Sequence, residues 1–186
     1  MKRSCFMVIL AILLSGCKTA PSELEQGMEL RSKILKGNQI SYITDIVADY
    51  GDSIQLFSMD CLCDDQGNLS FTVVAPDTIA GITGKISQGQ GQLTFDETAL
   101  YIPVLTDEQI NPVSAPWILM KSLRSGYLSS AGMEEDQLRL TIHDTYEENA
   151  LMLDIWLNDD SLPQNVEISY AGKNILTLTV RDFEIM

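Results

Sequence analysis

The chain has 186 residues, with 26 Asp+Glu against 12 Lys+Arg and a formal charge of −14. That balance argues against nucleic acid, whose binding rests on Lys and Arg at phosphates. It also argues against a folded body lying flat on an anionic lipid surface, which needs a basic patch.

The first element is a short N-terminal segment. Lys2 and Arg3 precede the apolar run Phe6-Met-Val-Ile-Leu-Ala-Ile-Leu-Leu14, then Ser15-Gly16-Cys17. A charged start, a short apolar run and small residues before a cut site form an export signal. The run is shorter than the roughly 20 residues a spanning helix needs. Leu14-Ser15-Gly16-Cys17 resembles the lipobox of bacterial lipoproteins. The resemblance implies that residues 1–16 are removed and that Cys17 is acylated at the new N-terminus. The alternative is an ordinary signal peptide with an incidental cysteine. Loss of Lys2 and Arg3 with the signal leaves 170 residues carrying 10 Lys+Arg, 26 Asp+Glu and a charge of −16. The expected picture is one domain, tethered by lipid at the extracytoplasmic face of the cell membrane. Acyl chains contribute about 0.8 kcal/mol per buried CH₂, and stable anchoring takes more than one.

Residues 17–21 make a lipidated linker, and 22–186 the domain. Ser22-Glu-Leu-Glu25 is a capping box, opening a helix over Glu23 to Lys36 with Leu24, Met28, Ile34 and Leu35 along one face. Gly37 ends it. From Gln39 the apolar period becomes two, the mark of strands. Ile40, Tyr42, Thr44, Ile46 and Ala48 alternate with more polar residues. In Ser53–Asp64, Phe57, Met59, Cys61 and Cys63 share one side. Asp65-Gln-Gly-Asn68 is a turn, and Leu69, Phe71 and Val73 alternate before Ala75-Pro76. Ile79–Ser87, Gln92–Phe95 and Ala99–Leu105 are further strands around turns at Gly89-Gln-Gly91 and Asp96-Glu97. The Asn111–Pro116 loop leads into a short helix, Trp117–Ser125, stopped by Gly126. Strands resume at Gln137–Asp144 and Ala150–Leu157, and a hairpin over Asn165–Tyr170 and Asn174–Ile185 closes the chain. Strands at short intervals with tight turns predict an antiparallel meander. The fold class is α+β: a curled antiparallel sheet, or half-barrel, of about nine to eleven strands, with helices covering the concave face.

No enzyme constellation is present. His143 is the only histidine, and no Gly-x-Ser-x-Gly accompanies it. It is expected to be structural or on the surface; a hydrolase built on it and a turn carboxylate is the weakest reading. The acidic pairs Asp64-Asp65, Asp96-Glu97, Glu134-Glu135-Asp136, Glu147-Glu148 and Asp159-Asp160 fall in turns, without calcium-loop spacing. Cys61 and Cys63 face the same way on one strand, which disfavours an unstrained disulfide between them. They are expected to be small apolar residues rather than a redox or metal pair. No catalytic residue, metal or cofactor is assigned.

The remaining feature is apolar surface. Phe71, Val73, Phe95, Tyr101 and Trp117 are candidates for the enclosed side, with Met120, Leu140, Ile142, Leu153 and Ile155. They make either an ordinary closed core or a cleft able to take an acyl chain.

The helix, the strands, Leu69-Ser-Phe-Thr-Val-Val-Ala-Pro76 after a turn and Ile79-Ala-Gly-Ile-Thr-Gly84 together resemble the N-terminal half of lipoprotein-carrier (Lol-type) domains. The Trp117 helix and the return to antiparallel strands are similar too, most of all to small lipoprotein relatives in Gram-positive bacteria. The resemblance implies an unclosed half-barrel around helices with a hydrophobic cavity for lipid or acyl groups, used in lipid or lipoprotein handling. The family's functional arginine and the receptor's hydrophobic insertion loop have no match here, so transfer activity is not carried over. Two functions follow: a non-enzymatic lipoprotein that binds an apolar ligand in the ten-residue cleft, or a non-catalytic protein-interaction module of the cell envelope with a solid core.

Overall fold

The computed structural model describes residues 21–186 except 96, 97, 104, 107, 108, 148 and 149, and excludes the side chains of 103, 105, 106 and 109. The signal, Cys17 and most of the linker lie outside these residues, as do Asp96, Glu97 and Glu148. In chain order the elements are helix α1 (Glu23–Lys36) and strands β1 (Gln39–Asp49), β2 (Ile54–Asp64), β3 (Leu69–Ala75), β4 (Thr83–Ser87), β5 (Gln90–Phe95) and β6 (Thr98–Pro103). A small hairpin, β7 (Leu105–Thr106) and β8 (Gln109–Ile110), precedes a 3₁₀ turn at Pro112–Ser114 and helix α2 (Ala115–Ser125). Then come β9 (Tyr127–Glu134), β10 (Gln137–His143), β11 (Met152–Leu157), β12 (Pro163–Tyr170) and β13 (Lys173–Ile185).

Eleven strands form one sheet in the order β6-β5-β4-β3-β2-β1-β13-β12-β11-β10-β9. Every pairing in it is antiparallel. The chain runs outward from β1 to one edge, crosses through α2 to the other edge, and returns to close β13 against β1. This is the expected curled, unclosed sheet with helices on its inner face. Tight turns set the register: Gln88-Gly89 and Ala171-Gly172 both have positive φ at their two central residues, the geometry that matches strand twist. The first of these sits one residue earlier than the glycine spacing suggested.

α1 begins and ends where its sequence says. Ser22 Oγ accepts from the Glu25 N–H, and the Glu25 carboxylate accepts from the Ser22 N–H at 2.7 Å. Its buried face is a correction. Gly27, Leu30 and Ile34 turn inward, while Leu24, Met28 and Leu35 are half exposed. The reason is Gly27. A methyl group there would stand 2.9 Å from Leu140 Cδ2 and 3.1 Å from Leu128 Cδ2, so the bare backbone lets the helix settle onto β9 and β10. Bulk alone pointed to a different stripe. α2 starts two residues earlier than expected, because Pro116 falls in its first turn, where a missing N–H costs nothing.

The alternating residues of β1, β2, β3, β10, β11 and β13 fill the inner side, with Ile40, Ile46, Met59, Leu69, Leu153 and Leu178 at 0–1 % exposure. Thr44 is fully buried in the same row, and among the described residues neither its hydroxyl nor that of Ser122 has a hydrogen-bond partner. A buried hydroxyl left unpaired carries its desolvation cost without return. Thr44→Val is therefore expected to stabilise the protein by about 1 kcal/mol, read as a raised denaturant midpoint.

On the outer face, Asp45 accepts two hydrogen bonds from the Arg181 guanidinium, each 3.0 Å, and one from Ser58 Oγ. The Arg181 and Ser58 hydrogen bonds hold its carboxyl below the usual carboxylate range. A depressed carboxyl stabilises the fold at pH values above its ordinary pKa, and that contribution fades as pH falls through the depressed value. Stability is expected to drop below about pH 4, and Asp45→Asn to flatten the drop in a series of urea titrations.

Candidate functional site

The inner face can be followed strand by strand through the register. One row runs Tyr42–Cys61–Phe71–Gly84–Leu93–Leu100 across β1 to β6. Tyr42 is buried and donates from its hydroxyl to the Pro116 carbonyl of α2 at 2.8 Å. Phe71 lies flat over Gly84, whose missing Cβ would sit 2.3 Å from Phe71 Cζ. Leu93 is half-buried and Leu100 is 60 % exposed. Burial therefore fades along the row as it leaves the ground that α1 and α2 cover.

Of the ten residues expected on the enclosed side, seven meet in one continuous core: Phe71, Val73, Met120, Leu140, Ile142, Leu153 and Ile155 are all at most 4 % exposed. Met120 projects from α2 with Ile118, Leu119 and Leu123, each at most 2 % exposed. These side chains fill the space between helix and sheet. Trp117 is half-buried at the rim of α2. Its Nε1–H donates to the Gly67 carbonyl at 3.2 Å, and the Lys121 ammonium lies 5.6 Å from its ring centroid. Phe95 and Tyr101 are corrections. Phe95 is on the inner face but 61 % exposed, and Tyr101 is 76 % exposed on the outer face, its partner across the ladder being Gln92. Both belong to the far wing of the sheet, where side-chain alternation continues and no helix follows it.

Among the grooves lined by described residues, two lie near this core. One, about 570 Å³, lies between α2 and the β2–β3 and β4–β5 turns and is lined by Leu35, Gly67, Gln88, Trp117, Lys121 and Arg124. Arg124 donates to the Asp64 and Asp65 carbonyls and so pins α2 to the first of those turns. The other is a shallow outer depression of about 540 Å³, lined mainly by polar residues including Asp60, Thr72, Lys85 and Gln92. Neither is walled by the seven core residues as a group.

His143 ends β10 opposite Met152, with its ring 6.5 Å from that of Tyr127. Among the described residues no hydroxyl or carboxylate hydrogen-bonds to it, and no three His, Cys, Asp or Glu gather as a metal site. Two of the acidic groups have partners that account for them: Asp64 within its turn, and Glu134 at the end of β9. Asp64 accepts from the Gln66 and Asn68 N–H groups, and Glu134 pairs with Arg139 and takes a hydrogen bond from Trp156 Nε1. Cys61 and Cys63 are free and buried. Burial pushes both thiols up, Cys63 to about 11, so they are un-ionised at neutral pH and act as small apolar side chains.

No protein-family model matches the chain, and no curated protein matches its sequence. Solved structures with a similar fold include an uncharacterized conserved protein from Thermus thermophilus, at 9 % identity over 89 % of this chain and 88 % of that one, with a TM-score of 0.48. A LolA superfamily protein from Nitrosomonas europaea is similar at 8 % identity over 90 % and 94 %, TM-score 0.49. The complex of the CwlD amidase with the GerS lipoprotein from Clostridioides difficile contains a chain similar at 14 % identity over 91 % and 99 %, TM-score 0.44. At TM-scores below 0.5 these likenesses carry no weight for family or activity.

Proposed function

We propose that the protein is a non-catalytic binding module of the cell envelope, held at the extracytoplasmic face of the membrane by acylation at Cys17, that engages another protein through its surface. The observation that carries this reading is the filled interior. An acyl chain between sheet and helices would need walls that border open space. Met120, Leu153 and Ile155, the residues best placed to wall it, are at most 1 % exposed. An apolar ligand site is concave and open to its ligand; this interior is packed like an ordinary core.

The test is organic extraction of the full-length protein purified in detergent, followed by mass spectrometry and by titration with a fluorescent fatty acid. The expected result is lipid bound covalently at Cys17 and no saturable binding of the fatty acid. A non-covalent acyl ligand recovered at about one per chain would overturn the reading. Cys17→Ala is expected to leave the protein folded and release it from the membrane fraction.

A further inference from the structure

We infer that the exposed stripe of α1, formed by Leu24, Met28 and Leu35, rests on the bilayer that holds the Cys17 acyl chains, so that the acidic sheet stands away from the membrane. The inference rests on the reading of Cys17 as the anchor and adds the side of the domain that faces the lipid.

Leu24 and Met28 lie about one turn apart and Leu35 about two turns further on, so the three share one side of α1. They are 50 %, 50 % and 52 % exposed, while Gly27, Leu30 and Ile34 hold the helix to the sheet from the neighbouring side. α1 therefore carries two apolar stripes, one spent on the core and one open to solvent. A helix with an open apolar side next to a lipid anchor lies in the headgroup region with that side down.

Tether length and local charge select the occupant. The N-cap Ser22 is five residues after Cys17, and five extended residues reach about 17 Å at most. The first turns of α1 thus stay at the bilayer surface, and a contact too weak to form between free partners becomes intramolecular. Charge is divided along the chain in the same sense. Residues 17–36 carry four basic and three acidic side chains, whereas residues 37–186 carry six basic and 23 acidic. An anionic leaflet repels the second set and leaves the first free to approach.

The test places a nitroxide at Met28→Cys or at Glu29→Cys, its neighbour about a quarter-turn round the helix, in the acylated protein carried in phosphatidylcholine nanodiscs. Cys61 and Cys63 are buried and escape the label. The reading is the collision rate with a water-soluble nickel chelate, taken as the ratio of position 28 to position 29. The same ratio in unanchored Cys17→Ala protein in water is the baseline. The ratio is expected to fall about threefold or more in the discs. Leu24→Gln combined with Leu35→Gln, both at exposed positions, should return it to the baseline. A ratio unchanged in the discs, or a fall that survives the double substitution, would overturn the inference. So would a ratio that falls in water as protein concentration rises, since a second copy would then cover the stripe. Mass spectrometry of the same sample separates this inference from the reading beneath it. Cys17 without acyl mass sinks the anchor and the inference together, whereas an acylated chain with an unchanged ratio sinks the inference alone.

Discussion

Leu153→Ala is expected to lower the unfolding free energy by about 3 kcal/mol, and the melting temperature by about 6–12 °C. Leu153 is fully buried as the second residue of β11, facing Ile142 on β10 and Ile168 on β12, themselves at 2 % and 0 % exposure. Truncation removes three carbons from water-free contact and leaves a cavity that flanking strands, each hydrogen-bonded on both sides, collapse into poorly. The result also separates the two functional readings. Were Leu153 the wall of a ligand space, it would have few contacts to lose and the penalty would fall toward about 1 kcal/mol, with fatty-acid affinity changing instead. Urea titration at constant m value is the measurement. A loss near the upper figure supports a solid interior.

Arg31→Ala is expected to cost about 2–4 kcal/mol, although Arg31 lies on a helix surface. Its guanidinium reaches the C-terminal end of α2, donating to the Leu123 and Gly126 carbonyls at 2.8 Å each and to Ser122 at 3.4 Å. A helix ends with unpaired carbonyls and a partial negative charge. One planar cation reaches three carbonyls at this end, of which that of Ser122 also accepts the Gly126 N–H, and ties α1 to α2. Burial lowers the pKa of Arg31, against an opposing influence from Tyr146, yet guanidinium stays charged at any working pH. Arg31→Lys should recover only part of the loss, because a single ammonium cannot match the fork. Hydrogen exchange at 122–128 should speed up in the alanine variant ahead of the rest of the molecule, which a uniform loss of stability would not produce.

Leu153 and Arg31 stand at two levels of the same assembly. Leu153 belongs to the closed interior, and Arg31 to the clasp that holds the helices on it. Together they describe a half-barrel whose helices cover the interior, with Phe95 and Leu100 exposed on the β4–β6 wing beyond them.

The pattern of alternation was enough to place most strands. Burial on one face of a sheet imposes a period of two, visible in Ile40 to Ala48 and in Leu138 to Ile142. The capping box and Gly37 marked both ends of α1, since capping is chemistry between neighbours in the chain. Side-chain character said which residues were apolar. It could not say which apolar residues would be covered, because Phe95 and Leu93 have the same parity and differ only in how far they lie from the helices. Nor could it find Gly27 as the contact point of α1, since a residue without a side chain leaves no apolar mark. Arg31 was equally hidden: its partners are carbonyls about ninety residues away, and backbone atoms have no sequence signature.

By itself, then, the sequence determined the class of fold, the inward parity of each strand, the turns and the acidic character, all of which depend on local geometry and composition. Only the tertiary structure decided that seven of the ten candidate residues close into a core and that Phe95 and Tyr101 stand outside it. Those outcomes depend on where two short helices come to rest on a sheet wider than they can span.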